Sequence, residues 1–318
     1  MKQFLFLVQA LALLALTACA QITGPYYLGQ EKYDEGIEAL GQQLKENPQD
    51  ASSAYYVGRY YLALEKPTQA IPYLKRASEI EPQNADYHFW VGVALWAVKD
   101  YSHEQESYGK ALALDPKHIS ANLYLGHSYL ESKKWREALA QYDIVLKLDK
   151  YNPEALYNRA DSLRRLGRSA EEIEAWKKFL KYYPDGSLAM SAASNMNLHG
   201  DFTYRNFILG KRNVTLKTMK FKPESTLIDV SSKKSLHVIA AMMEANEKLN
   251  IHIVSYKKGD VTLAKSRAKA VRDYILGGHP GFSSTRMPLS WFDLSETIKS
   301  GGKSFQVDDS VQFITVVQ

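Results

Sequence analysis

Apolar and polar positions along the chain fall into blocks that recur. Gly58, Gly92, Gly126 and Ala160 are spaced by 34 residues, and Pro48, Pro82, Pro116 and Pro184 keep the same frame, with Lys150 where a further proline would fall. Inside one block, "LYLGHSYLESKKWREALAQY" places Leu125, Gly126 and Tyr129 on one helical face and Ala138 and Tyr142 on a second. Small residues at facing positions let two antiparallel helices approach closely, and the proline closes the second helix. The pattern predicts four full helix pairs beginning near Ala51, Ala85, Ile119 and Pro153, after a divergent unit over Tyr26–Pro48. It fades after "YYPDG" into one further helix over about 187–198 and a polar link through "GDFTYRNF". From Asn213 the period changes. "VTLKTMKF" alternates, "SSKKSLHVIAAMMEAN" has helical spacing, "LNIHIVSY" alternates again, and "VTLAKSRAKAVRDYILGG" is a helix stopped by glycines. "RMPLSWFDL" and "SVQFITVV" read as the last strands, giving the order β-α-β-α-β-β with helices on one face of a sheet.

The 34-residue frame resembles the tetratricopeptide repeat over about residues 24–186. The fold class it implies is an α-solenoid of such repeats followed by a small α+β domain. No helix pair buries its apolar face alone, so stacking supplies the core. In that family the first helix of each pair lines a groove, and its wall positions fall here on Tyr55, Arg59, Phe89, Trp96, His127, Tyr157 and Arg164, with Val93, Leu123, Leu130, Asp161 and Arg165 beside them. An aromatic middle with arginines at both ends suits an extended or helical peptide carrying an apolar stretch and acidic groups. Packing against neighbouring repeats is the other reading of the same residues, above all for Val93 and Leu123.

The segments "KFKPESTLIDVSSKKSLHVIAAMM", "IHIVSY" and "LAKSRAKAVRDYIL" resemble the OmpA-like peptidoglycan-associated domain over about 213–318. The resemblance implies that Arg267 pairs with a carboxylate of diaminopimelate, for which a guanidinium is well shaped. The family's loop aspartate is missing. Lys257 and Lys258 stand there, and Asp260 substitutes only if the short loop folds back. Arg267, Lys258 and Asp260 therefore form a degenerate peptidoglycan site, expected to bind weakly or not at all. "DDSVQF" stands where the family carries paired arginines.

The first residues add an address. Lys2 precedes an apolar run from Phe4 to Leu16, shorter than the roughly 20 residues of a membrane span. The run ends in "LTAC", which resembles the bacterial lipoprotein signal and implies cleavage before Cys19 and lipidation of its thiol. An ordinary signal peptide with a chance cysteine is the alternative. One acyl chain holds a membrane marginally and several hold it stably. Ala20 after the cysteine implies delivery to the outer membrane, facing the periplasm. As the single cysteine, Cys19 leaves no partner for an internal disulfide. The domain plan is then a signal peptide over 1–18, repeats over 19–186, a capping helix and linker over 187–212, and the α+β domain over 213–318.

The net charge of +5 is uneven, since residues 201–318 hold 18 Lys and Arg against 11 Asp and Glu. That favours an anionic partner for the C-terminal third, or a solvated basic surface. No phosphate-binding glycine loop, nucleophile elbow or helical histidine pair occurs, so no enzyme, metal or cofactor is expected. His88 and His118 read as surface or packing residues. The basic charge is not organised around aromatics, which argues against nucleic acid. The expected function is an outer-membrane lipoprotein scaffold whose groove holds a protein partner during assembly or positioning of a pilus, secretion or polysaccharide-export machine. A non-covalent peptidoglycan tether is the alternative.

Overall fold

The computed structural model describes residues 20–316. Cys19 and the apolar run before it lie outside the described residues. The chain divides into two compact units, one ending at Ala155 and one beginning at Leu156. No helix among the described residues is long and apolar enough to cross a membrane.

The first unit is a stack of antiparallel helices: α1 (20–29), α2 (Tyr33–Glu46), α3 (Ala51–Ala63), α4 (Pro67–Ile80), α5 (Ala85–Ala97), α6 (Tyr101–Leu114), α7 (Ile119–Glu131) and α8 (Trp135–Leu148). The helix α9 (Pro153–Arg165) begins here and continues into the second unit. The starts of α3, α5, α7 and α9 fall on the four residues that the frame predicts. Side-chain caps fix those of α3, α7 and α9. Asp50 accepts from the N–H of Ser53, His118 Nδ1 from that of Ala121, and Asn152 from that of Ala155, each satisfying a donor that the first helical turn leaves orphaned.

Close approach explains the small residues. A Cβ added at Gly92 would lie 2.4 Å from the Tyr108 ring, and one at Gly126 would lie 2.8 Å from Tyr142. Each second-helix side chain thus fills a space left by the first. The turn inside each pair also repeats: Glu31, Glu65, Lys99, Lys133 and Gly167 all have positive φ, again 34 residues apart.

One buried group makes the first unit sensitive to pH. Glu104 on α6 is 1% exposed, and burial pushes its carboxyl up to about 7 against a hydrogen bond from Ser128, with the charge of Glu131 adding to the rise. Its folded value lies above the ordinary 4.5, so its contribution to stability is fully present below about pH 4.5 and is lost as pH rises through about 7. Melting temperatures across that window should fall for the wild type relative to Glu104→Gln, which holds the neutral form throughout. Parallel profiles for the two proteins would contradict this.

The second unit contains the rest of α9, α10 (Ser169–Tyr182), α11 (Gly186–Leu198) and an α+β region. A hairpin of β1 (Tyr204–Leu209) and β2 (Arg212–Lys217) packs on α11. Next come α12 (Val230–Ala245), β3 (Asn250–Lys257), α13 (Val261–Gly278), a single 3₁₀ turn (Ser284–Arg286), β4 (Leu289–Phe292), a hairpin of β5 (Glu296–Ser300) and β6 (Lys303–Val307), and β7 (Asp309–Val316). The central sheet has the order β4-β3-β7, with β3 parallel to β4 and antiparallel to β7. The parallel pair needs a crossover, which α13 supplies while covering both strands. Leu236, Ile239 and Met243 of α12, Val271 and Ile275 of α13, and Ile251, Ile253 and Phe313 of the sheet form one core.

Two features differ from the expected elements. The segment expected to be a polar link contains β1, whose Tyr204, Phe207 and Leu209 are buried. Its outer residues are Arg205, Asn206 and Ile208, and Asn206 is used: its amide donates to Met190 C=O at 2.8 Å and to Ser194 Oγ at 3.0 Å on α11. The hairpin β5–β6 is the second addition. It turns at Gly301 and Gly302, both at positive φ, as a tight hairpin demands. Its short strands are largely exposed, so they carry little apolar alternation to read.

Candidate functional site

The first helices α3, α5 and α7 of the first unit present a row of aromatic and basic side chains. On α3, Arg59 Nη1 donates to the Tyr55 hydroxyl at 2.6 Å, and the guanidinium lies 3.4 Å from the centroid of Trp90 on α5. Tyr55 also meets Tyr87 at 4.9 Å. Burial pushes the Tyr55 phenol above its ordinary range, with Arg59 opposing, so it stays a neutral acceptor for that guanidinium. On α7, His127 lies between Tyr124 and Tyr142 at 5.8 and 5.7 Å, with Nε2 3.6 Å from Glu154. Burial holds this imidazole below its ordinary range, with Glu154 and Glu131 opposing. Trp96, near the end of α5, is 45% exposed.

The seven expected wall residues have different fates. Tyr55, Arg59, Trp96 and His127 are on this row. Phe89 is not a wall: it is 4% exposed and packs on Tyr108, His118 and Tyr124 at 5.8, 5.0 and 5.4 Å. Leu123 is likewise buried against Ala138, Tyr142 and Val145. The neighbouring repeat covers that helical position, and the next one along is turned outward. There stand Tyr56, Trp90 and Tyr124, all partly exposed. Their 34-residue spacing was in the sequence as a recurring aromatic, the signal by which Trp90 was findable.

Tyr157 and Arg164 lie in the second unit. The Tyr157 ring meets Trp176 at 4.9 Å and Phe179 at 5.3 Å, a packing role. Arg164 bonds Asp161 through Nε at 2.8 Å, and Arg165 reaches the same carboxylate at 3.3 Å. One acid thus offsets part of the charge of both arginines.

The degenerate C-terminal site is assembled differently from the expectation. Arg267 on α13 is 2% exposed, donates from Nε to Ser225 C=O at 2.9 Å, and pairs through Nη1 with the carboxylate of Asp309 at the start of β7. Its guanidinium lies 4.6 Å from the Phe221 centroid. Lys257 joins the cluster, 3.5 Å from Asp309 and 3.2 Å from Glu224. Lys258 does not: it is exposed and 4.0 Å from Asp308. Asp260 does not either, because its carboxylate caps α13 by accepting the N–H of Leu263 at 2.8 Å. An internal acid holds the partnership that the resemblance gives to a ligand. Among the described residues, no group of three or more His, Cys, Asp or Glu is arranged to hold a metal ion.

The profile of the tetratricopeptide repeat family matches residues 23–80, 58–119 and 123–187, together just over half of the chain. Among solved structures, PilF of Pseudomonas aeruginosa is 17% identical, with 57% of this chain and 83% of that one covered and a TM-score of 0.52. A MamA protein is 20% identical over 52% and 91%, TM-score 0.48, and YrrB, described as a repeat protein with an unusual peptide-binding site, is 19% identical over 53% and 87%, TM-score 0.48. At these identities the likeness is one of fold. No curated protein matches the chain.

Proposed function

The chain belongs to the tetratricopeptide repeat family, and we propose that its repeats hold a protein partner while a lipid on Cys19 keeps it at the outer membrane, facing the periplasm. The observation that carries this reading is the Arg59–Trp90 stack beside Tyr55, with Trp96 exposed on the same helix as Trp90. Trp, Tyr and Arg dominate binding energy at protein interfaces, the two aromatics because they give up little conformational freedom for a large contact area and Arg because its planar fork stacks and hydrogen-bonds at once. The partner's segment would offer apolar side chains to the aromatic row and an acidic group to Arg59. The role is that of a scaffold in assembling or positioning an envelope machine such as a pilus, a secretion system or a polysaccharide exporter. The C-terminal domain, OmpA-like on its resemblance, would sit toward the cell wall.

A photo-reactive phenylalanine at position 96 of the full chain, activated in intact cells, is expected to yield one defined protein adduct. Arg59→Ala should weaken capture of that protein at least tenfold, about 1.4 kcal/mol. Failure of position 96 to yield any adduct would remove the groove reading. Cys19→Ser should move the chain from the membrane to the soluble envelope fraction, and its retention at the membrane would remove the anchor.

The tether reading has one specific observation against it, the internal Arg267–Asp309 pair. Wild-type protein is accordingly expected not to sediment with purified peptidoglycan.

A further inference from the structure

Within the second unit, α10, the turn at Pro184 and Asp185, strand β2 and the face of α12 bound a cleft of about 700 Å³. Its floor is the edge of a strand. Thr218 N–H donates to Thr203 C=O at 3.0 Å, so Thr203 and Thr218 are a bonded pair. Bonded and non-bonded pairs alternate in an antiparallel ladder. In the register that runs from Tyr204–Lys217 to Leu209–Arg212, the backbones of Arg212, Val214 and Leu216 therefore face β1. Those of Asn213, Thr215 and Lys217 face the other way, into the cleft.

The sheet of β1 and β2 has two strands, so no strand among the described residues pairs with this edge. Lys217 C=O accepts from Ser235 Oγ at 2.9 Å. The N–H and C=O of Asn213 and of Thr215, and the N–H of Lys217, have no partner among the described residues. Open edges of this kind template a further strand unless they are blocked. Here the edge is short and not bulged; Thr215 is 7% exposed and Ser235 of α12 caps the Lys217 end, while Asn213 at the other end is exposed.

The walls say what kind of strand fits. Leu180 and Pro184 stand on one side, and Val238 and Met242 on the other, with Val238 43% exposed. The charges are nearly all positive: Lys177, Lys181, Arg212, Lys217 and Lys234, against Asp185 alone. Lys177 is held by Asp201 and Glu174, and Asp185 accepts from the N–H of Gly186. Lys181, Arg212, Lys217 and Lys234 form no ion pair among the described residues. Burial first, and then the cation Lys220, holds Lys217 below its ordinary range, with Asp229 opposing and Lys181 adding to the fall.

We propose that this cleft takes an extended acidic polypeptide segment, which pairs as an added strand with the free edge of β2 at Asn213 and Thr215 and sets its carboxylates against Lys181, Lys217 and Lys234. The unpaired backbone groups select a polypeptide over other polyanions, because only an amide chain offers N–H and C=O at the strand repeat of about 3.4 Å per residue. This site belongs to the second unit, and the proposal does not rest on the aromatic row of the first.

The test uses the full chain and a short fluorescent peptide that alternates glutamate with valine, read by fluorescence anisotropy. The glutamate peptide is expected to bind at least tenfold more tightly than its lysine counterpart. Methylating alternate backbone nitrogens keeps every charge and side chain but removes the pairing donors, and should weaken binding at least tenfold. Asn213→Pro removes an outward N–H without touching the bonds to β1 and should do the same. Lys181→Glu with Lys234→Glu should reverse the preference between the two peptides, whereas Arg59→Ala should leave it unchanged. Equal binding of the methylated and parent peptides would overturn strand addition, and absence of binding by either would reduce the lysines to protectors of the edge. If the peptide is ignored and phosphatidylglycerol vesicles bind instead, lost on the same charge reversal, the cleft faces a lipid surface and the proposal falls.

Discussion

Alanine at position 309 is expected to destabilise the second unit by about 3–5 kcal/mol, the usual cost of removing one partner from a buried ion pair. Arg267 is 2% exposed and cannot turn to water when its carboxylate is lost. It would be left with a neutral carbonyl at Ser225 and with Lys257, which is itself 3.5 Å from the departing carboxylate. Because Asp309 is 41% exposed, entering water relieves part of the penalty, and the lower end of the range is expected. Arg267→Met provides the control. It removes the charge together with its need for a partner and keeps most of the volume, so it should cost clearly less than Asp309→Ala. Urea unfolding followed by tryptophan fluorescence measures both. If Arg267→Met proves the more damaging, the guanidinium matters through its packing on Phe221 and not through the ion pair. The same variant bears on the wall-binding resemblance: a freed Arg267 that kept the family's chemistry would make Asp309→Ala sediment with peptidoglycan where wild type does not.

The second large effect lies at Trp176 on α10. Its side chain is fully buried, its indole N–H donates to Glu172 Oε1 at 3.1 Å, and its ring meets Tyr157 at 4.9 Å. Glu172 is 2% exposed and is 3.1 Å from His199 Nε2 just beyond α11. Trp176→Ala removes a large apolar volume and orphans one oxygen of a buried carboxylate, so a loss of about 3–5 kcal/mol is expected. Trp176→Phe retains most of the ring contact but not the N–H donor, and should cost about 1–3 kcal/mol. Chemical denaturation of the two variants separates the terms. Equal losses would mean that the hydrogen bond to Glu172, and not volume, holds α10 in place.

Most of what was legible in advance was periodic. A steric demand repeated every 34 residues leaves the same kind of residue each time, which is why the glycines and the helix starts stood out. The positive-φ turn residues share that period, yet they were invisible, because Glu and Lys at Glu31, Glu65, Lys99 and Lys133 give no compositional sign of a left-handed backbone. The wall positions show the limit of a frame. It locates the first helix of each pair correctly, but the facing repeat decides whether Phe89 or Trp90 meets solvent.

The sequence by itself determined the repeat family, the starts of α3, α5, α7 and α9, and the two helices and the central strand of the C-terminal region, because these depend on periods contained within one segment and, for α3, α7 and α9, on local caps. The tertiary structure decided the rest. Strand β1 forms because α11 takes its Asn206 and because Thr315 of β7 bonds Ile208 C=O and Gly210 N–H. Asp309 reaches Arg267 only because β7 returns beside β3, bringing together side chains 42 positions apart. The open edge of β2 likewise exists through what the fold leaves unpaired. Partnerships of this kind are set by where distant segments are brought to lie, and no window of neighbouring residues carries that information.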